Sequence, residues 1–303
     1  MSGGSGPSSL SEAAGLPEGR GGARRYGTIV VVGGGCYGAY YVRQLGRALA
    51  AGAIACNRVL VVDRDPECRV AGLLAGPGVA ARGDMPAPGG PPQQHDRAAP
   101  PHPTDPFRAA GTELTLLRAE WGEFLAHHLR DSAGDPAAAL DAVVPSPLMP
   151  HLLYEWLLAR ARARWPARRV ETAPLDRPPA TPWQRPGTDG VHYVSFAEWM
   201  CPINCVEPPL CPEIRGPRTW SMPPALRAYV AAEQARGREL LGPVLFHCTH
   251  RAYGVGMIDV RDVLAADAFV TEAGERGPAR VLVGTVSHCH GAVNLLEIGP
   301  LPG

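Results

Sequence analysis

The chain has 303 residues, 45% of them hydrophobic, and 29 basic residues balance 29 acidic ones to a formal net charge of zero. That length allows one large core or two smaller ones, and the charge balance argues against a polyanion such as nucleic acid as the main partner. Every basic residue is arginine, which excludes Schiff-base lysine chemistry, the usual pyridoxal phosphate enzymes and any P-loop with its phosphate-binding lysine.

No run approaches the roughly 18 consecutive apolar residues that span a bilayer. The Gly/Ser/Pro-rich start carries no apolar signal core, so the expectation is a cytoplasmic protein without a membrane span. Residues 1–25 read as a disordered arm, with structure beginning near Tyr26. Eight cysteines in such a chain point to thiols or metal ligands rather than a disulfide framework.

The first ordered stretch is Thr28 to Val32, an apolar β-branched run that breaks into Gly33, Gly34, Gly35 and, after two residues, Gly38. Gly33, Gly35 and Gly38 fill a G-x-G-x-x-G pattern, in which the backbone turns tightly, approaches a pyrophosphate and packs a helix on the sheet. Ala39, Tyr40, Val42, Leu45 and Leu49 then recur at helical spacing, so strand, turn and helix follow one another. A second apolar run, Arg58 to Val62, ends in Asp63, where an acid would hold the ribose hydroxyls. The stretch Ala50 to Asn57 reads as an extended turn that lengthens the usual spacing. Asp63 favours NAD, while Arg64 leaves room for the 2′-phosphate of NADP. Cys36 adjoins the turn without an assigned role.

Ile29 to Gly38 together with Val61-Val62-Asp63-Arg64-Asp65-Pro66-Glu67 resembles the TrkA-N (RCK-type) nucleotide-binding domains. The resemblance covers about a quarter of the chain and implies a Rossmann fold binding NAD(H) or an adenine nucleotide through Gly33, Gly35, Gly38 and Asp63. After Glu67 the chain departs from that family's continuation, so a role in gating potassium transport does not carry over.

From 76 to 106, fourteen of thirty-one residues are Gly or Pro, too many for a regular element, which predicts a surface insertion. A third strand is expected over Glu113 to Leu117, then a helix carrying Trp121, Phe124, Leu125, His128 and Leu129. His127 and His128 read as surface or packed histidines. A fourth strand over Leu140 to Val144 leads into a loop with Ser146, and His151 opens a helix to Arg164. Both residues fall at the expected cofactor edge. Arg160, Arg162, Arg164, Arg168 and Arg169 form a basic run that complements the dipole at the end of this helix. No aromatic stacking pattern accompanies it, and nucleic-acid binding is not expected.

A Pro-rich break at Pro174 to Pro186 predicts a boundary between a Rossmann-type domain over 26–173 and a C-terminal α/β portion over 187–303. In the latter, Cys201, Cys205 and Cys211 lie within eleven residues of a proline-rich loop. Two further segments, one through His247, Cys248 and His250 and one through His288, Cys289 and His290, read as strands ending in thiols and imidazoles. If these strands are parallel neighbours, their ends converge at one sheet edge. The Cys-Pro steps fit an iron–sulfur loop, and the pair Cys201 and Cys205 equally fits half of a zinc site completed by His247 or His250. Buried thiols without metal are the third reading. Strand alternation puts His288 and His290 on one face and Cys289 on the other. Arg215, Arg218 and Arg251 flank the cluster and read as solvated surface arginines, with binding of a substrate carboxylate or phosphate as the alternative.

The expectation is an α/β protein with a Rossmann-like parallel sheet and a Cys/His-rich C-terminal portion. It would act as an NAD(P)-dependent oxidoreductase on a small-molecule substrate, with a metal centre drawn from Cys201, Cys205, Cys211, Cys248 and Cys289. The competing expectation is a nucleotide-sensing regulator that binds a nucleotide effector beside a structural zinc. A homo-oligomer is compatible with either.

Overall fold

The computed structural model describes residues 23–74, 105–202 and 205–302. Most of the expected N-terminal arm and nearly all of the 76–106 insertion lie outside them.

The first strand, β1 (Arg24–Val32), begins two residues before the expected start and runs into helix α1 (Cys36–Ala50). β2 spans Ile54–Asp63, so the second half of the expected long turn is strand and no insertion separates α1 from β2. Two short helices follow, α2 (Arg69–Leu74) and α3 (Pro106–Ala109). Next come β3 (Glu113–Arg118), α4 (Trp121–Ser132), β4 (Ala142–Val144) and α5 (Leu152–Arg164).

Strands β1, β2, β3 and β4 are parallel and lie in the order β3-β2-β1-β4. Two strands from the C-terminal half complete this sheet: β12 (Val255–Asp259) pairs antiparallel with β4, and β11 (Thr249–Ala252) forms the edge beyond it.

The second sheet is built from β5 (Val170–Ala173), β6 (Trp183–Pro186), β7 (His192–Ser195), β10 (Leu241–His247), β13 (Ala279–Val286) and β14 (His290–Ile298). β10 and β13 run parallel, while β14 lies antiparallel to β13 and pairs with β7 along one half and β5 along the other. The expected boundary at 174–186 therefore falls inside this sheet, running from the end of β5 through β6. A two-stranded ribbon, β8 (Leu210–Cys211) with β9 (Gly216–Pro217), sits in the cysteine loop. Helices α6 (Met222–Ala235) and α7 (Val260–Arg276) complete the described elements.

Side-chain alternation explains how the layers stack. Val30, Val32, Leu60 and Val62 face α4, α5 and α7, whose other sides receive Val244, Phe246, Val281, Val283 and Leu296 of the second sheet. The alternate residues Ile29, Val31, Val59 and Val61 face α1 and Phe107. Leu282, Val293 and Leu295 pack against α6 on the far face of the second sheet. Helix α5 buries Leu152, Leu153, Tyr154, Trp156, Leu157 and Ala161, which together go most of the way round the helix because a sheet lies on each side.

The basic run staples this middle layer. Arg160 and Arg164 converge on Asp267 of α7, and the Arg168 guanidinium donates to the carbonyls of Gly274, Gly277 and Gly299 at 2.6, 2.6 and 2.7 Å. Among the described residues no helix is long and apolar enough to cross a membrane.

Candidate functional site

Two candidate sites lie at the carboxyl ends of parallel strands, where open α/β sheets present ligand crevices. The first is the glycine turn after β1. Gly33 has φ +88°, a left-handed conformation that favours glycine. At Gly38 a methyl group would overlap the carbonyl oxygen of Gly33, so only glycine lets α1 sit this close to the strand end. Gly35, the N-cap of α1, has nothing within 4 Å of where a Cβ would stand, and no side chain caps the helix. The three glycines thus meet three different demands: a tight turn, an open approach and close packing. Trp121 borders the turn, its Nε1 donating to the Val62 carbonyl at 3.0 Å.

Asp63 ends β2 at this edge but faces inward, with 8% of its surface exposed. One carboxylate oxygen accepts from Gly34 N at 2.6 Å and the other from Asp65 N at 2.9 Å, so both brace the turn. Arg64 and Cys36 are exposed. Ser146 accepts from Leu148 N at 3.3 Å, and His151 holds the N-cap position of α5 without a capping hydrogen bond from its side chain, which lies 3.5 Å from Glu155 one turn on.

The second site is the edge where β10 and β13 end together, as the parallel pairing brings about. Its centre is Glu207, a residue that sequence reasoning passed over. The carboxylate is 2% exposed and accepts from Ser287 Oγ at 2.5 Å, His288 N at 2.8 Å and Cys289 N at 3.0 Å. His250 Nδ1 stands 3.8 Å from its second oxygen. Burial alone would raise the Glu207 pKa, but the bonds from Ser287 and His288 N, with His250 and His290 nearby, hold it below the usual glutamate value. Glu207 adopts φ +49°, a left-handed conformation uncommon for such a residue. The only sequence hint was an acid set between Cys205 and Pro208.

Residues 287–289 form the turn between β13 and β14 and are not strand. The expected alternation of His288, Cys289 and His290 therefore does not hold: the turn points the backbone amides of His288 and Cys289 at Glu207. Loop residues clamp this turn. Ser221 Oγ pairs with His288 Nδ1 at 2.8 Å, Trp220 Nε1 donates to Cys289 Sγ at 3.4 Å, and Met222 N donates to the His288 carbonyl at 2.9 Å.

His247 lies edge-on to His288 with ring centres 5.0 Å apart, and its buried Nε2 has no hydrogen-bond partner. Burial and then His288 lower the His247 pKa to about 4, and burial also lowers those of His250 and His288, favouring neutral imidazoles.

The thiols divide into groups. Cys201 is pushed above its ordinary range first by burial and then by Cys205, with Cys211 adding to the effect, which brings these three to one locality. Cys205 Sγ accepts from Glu207 N at 3.4 Å. Cys289 is raised to about 12 by burial, and Cys248, at the crossover between β10 and β11, is raised to about 12 by burial and by Glu207. Cys248 packs under Gly256 of β12 and lies near Tyr41 of α1. Among the described residues, no three His, Cys, Asp or Glu side chains are gathered so as to hold a metal ion.

The flanking arginines are not all solvated. Arg251 is 10% exposed in its side chain and forks onto Asp259, while Arg218 donates to the Trp220 carbonyl at 2.7 Å and holds the loop; Arg215 is exposed.

The architecture is that of a mixed α/β protein whose two six-stranded sheets both contain parallel strands. A family model described as an uncharacterized protein, C-terminal domain (AF_1314_C) matches residues 153–299. The matched segment takes in the whole second sheet, the Cys/His edge and the two strands added to the first sheet. Comparison with curated proteins and with solved structures returned no match.

Proposed function

We propose that this chain is an NAD(P)-dependent oxidoreductase with a Rossmann-type N-terminal half, its dinucleotide seated on the glycine turn and its second reactive centre at the Cys/His edge. The observation that carries the proposal is the division of labour at Gly33, Gly35 and Gly38: a positive φ, an open face and a packed contact, in the order a pyrophosphate-binding turn requires. The parallel order β3-β2-β1-β4 supports it, as does the uncapped amino end of α1, whose free N–H groups would face the phosphates.

The two edges are linked covalently. The chain leaves β10 at His247, passes Cys248 and enters β11 of the first sheet, where Cys248 neighbours Tyr41 on the helix that starts at the glycine turn. A bound nicotinamide would supply a hydride. Gly33, Gly35 and Gly38 would fix its pyrophosphate, and neutral His247, His250 and His288 would accept or return protons at their ring nitrogens.

For a metal, Cys201, Cys205 and Cys211 are the residues that would hold it, as an iron–sulfur cluster for electron transfer or as zinc for structure. Among the described residues these side chains are not gathered into a metal-binding group, so the metal remains the separate question that metal and sulfide analysis answers.

The test is titration of NADH and NADPH into anaerobically purified protein, followed by turnover with an artificial electron acceptor and by metal and sulfide analysis. Binding with turnover is expected. Binding without turnover would favour the nucleotide sensor of TrkA-N type, and no binding would overturn the proposal.

A further inference from the structure

We infer that the dinucleotide site selects a 2′-phosphorylated ribose, NADP(H) over NAD(H), through Arg64 and Arg118. The inference rests on the dinucleotide reading above and corrects the preference that Asp63 alone conveys.

An acid at this strand end selects NAD by accepting hydrogen bonds from the ribose hydroxyls. Asp63 is not free to do so in the usual way. Its two oxygens already accept from Gly34 N and Asp65 N, and only 8% of the residue is exposed. A carboxylate tied into the turn on both oxygens braces the glycine backbone and offers little to a diol above it.

The groups presented at the same edge are cationic. Arg64 follows Asp63 directly and is exposed. Arg118 is the register partner of Asp63 on β3, so its side chain leaves the sheet on the same face as Asp63. That is the face on which Leu114 and Leu116 of β3 meet the α1 layer. Parallel neighbours stand about 4.8 Å apart, so Arg118 is rooted one strand spacing from Asp63, and Arg64 is rooted in the bend just past the end of β2; both are exposed at this edge, within reach of a phosphate bound there. Asp63 and Asp65 are opposing charges at this edge; both Asp63 oxygens are turned onto the N–H groups of Gly34 and Asp65, and one Asp65 oxygen accepts from Glu67 N at 2.9 Å. Two arginine forks at one edge match a phosphate dianion, which they bind bidentately, and have no comparable use for a neutral diol.

The experiment is calorimetric titration of NADPH and, separately, NADH into the full chain, its Arg64→Ala and Arg118→Ala variants and the double variant. Both positions are exposed, so the melting temperature of each variant should match the parent. The expected result is NADPH bound about 10- to 100-fold more tightly than NADH, with that preference lost in the double variant. Equal or tighter binding of NADH by the parent would overturn the inference and leave the dinucleotide reading standing. An NADPH preference that survives the double variant would overturn the role of these arginines. Failure of both nucleotides to bind would overturn the dinucleotide reading itself.

Discussion

Replacing Glu207 by glutamine tests whether a single buried carboxylate organises the Cys/His edge. Oε1 takes the Ser287 hydroxyl and Cys289 N, while Oε2 takes His288 N. Glutamine can keep its carbonyl oxygen in the first position, but its NH2 then opposes the His288 N–H, donor against donor. The variant loses one charge-assisted hydrogen bond, worth about 1.5–3 kcal/mol, and leaves a buried N–H unsatisfied at about 1–3 kcal/mol. Partial relaxation brings the expected net cost to about 2–4 kcal/mol. At about 2–4 °C per kcal/mol for a large domain, the melting midpoint should fall by about 4–16 °C. Calorimetry and urea unfolding read this directly. A double-mutant cycle with Ser287→Ala should return a coupling of about 1 kcal/mol or more, because both changes act on one oxygen network. A Glu207→Gln protein within about 0.5 kcal/mol of the parent would refute the idea that this carboxylate holds the turn.

The glycine turn offers a paired test. Gly38→Ala forces a methyl into the Gly33 carbonyl and should cost about 3 kcal/mol or more, read as a lowered melting midpoint. Gly35→Ala meets nothing within 4 Å and should leave stability within about 0.5 kcal/mol while weakening dinucleotide binding about tenfold or more. Arg168→Ala removes three charge-assisted bonds to carbonyls of α7 and the chain beyond it and β14, with a cost of about 3 kcal/mol by denaturant unfolding. Arg168→Lys should recover little of this, since an ammonium cannot reproduce the fork.

Asp267→Asn should lower stability by about 1–3 kcal/mol at neutral pH, an allowance that discounts the partial exposure of Arg160 and Arg164. Burial alone would raise the Asp267 pKa, but the two arginines hold it below the ordinary aspartate value of 3.8, so as pH falls the unfolded chain takes up the proton first. The Asp267 contribution is therefore full above that value and fades as pH drops through the folded one. Unfolding midpoints of parent and variant should converge in that acidic range.

The local elements were legible because their information is local. β-branched runs at Thr28 to Val32 and Arg58 to Val62, glycines at fixed offsets and a helical period from Ala39 to Leu49 mark strand, turn and helix without reference to the rest of the chain. The parallel pairing of the strands ending at His247 and Val286 was likewise foreseen as the condition for a common edge, and β10 and β13 meet it. Three points were not legible. Nothing in Thr249–Ala252 or Val255–Asp259 indicates that they leave the second sheet to extend the first, since an edge strand is chosen by which backbone is left unpaired. The reversal at Ser287 to Cys289 was missed because an apolar run ending in polar residues looks the same whether the strand continues or turns. Glu207 was missed because its partners lie about 80 residues away in sequence.

By itself the sequence determined the chemistry that is absent, the lysine-dependent classes, together with the strand–turn–helix at Gly33 to Gly38, because residue type and spacing suffice for both. Tertiary structure alone decided that Asp63 braces its own turn and that Arg118 stands beside it. It also decided that a glutamate from the cysteine loop gathers the amides of a distant turn. Those outcomes depend on which backbone N–H groups are left to a buried carboxylate once the sheets have formed, and that is a property of packing at long range.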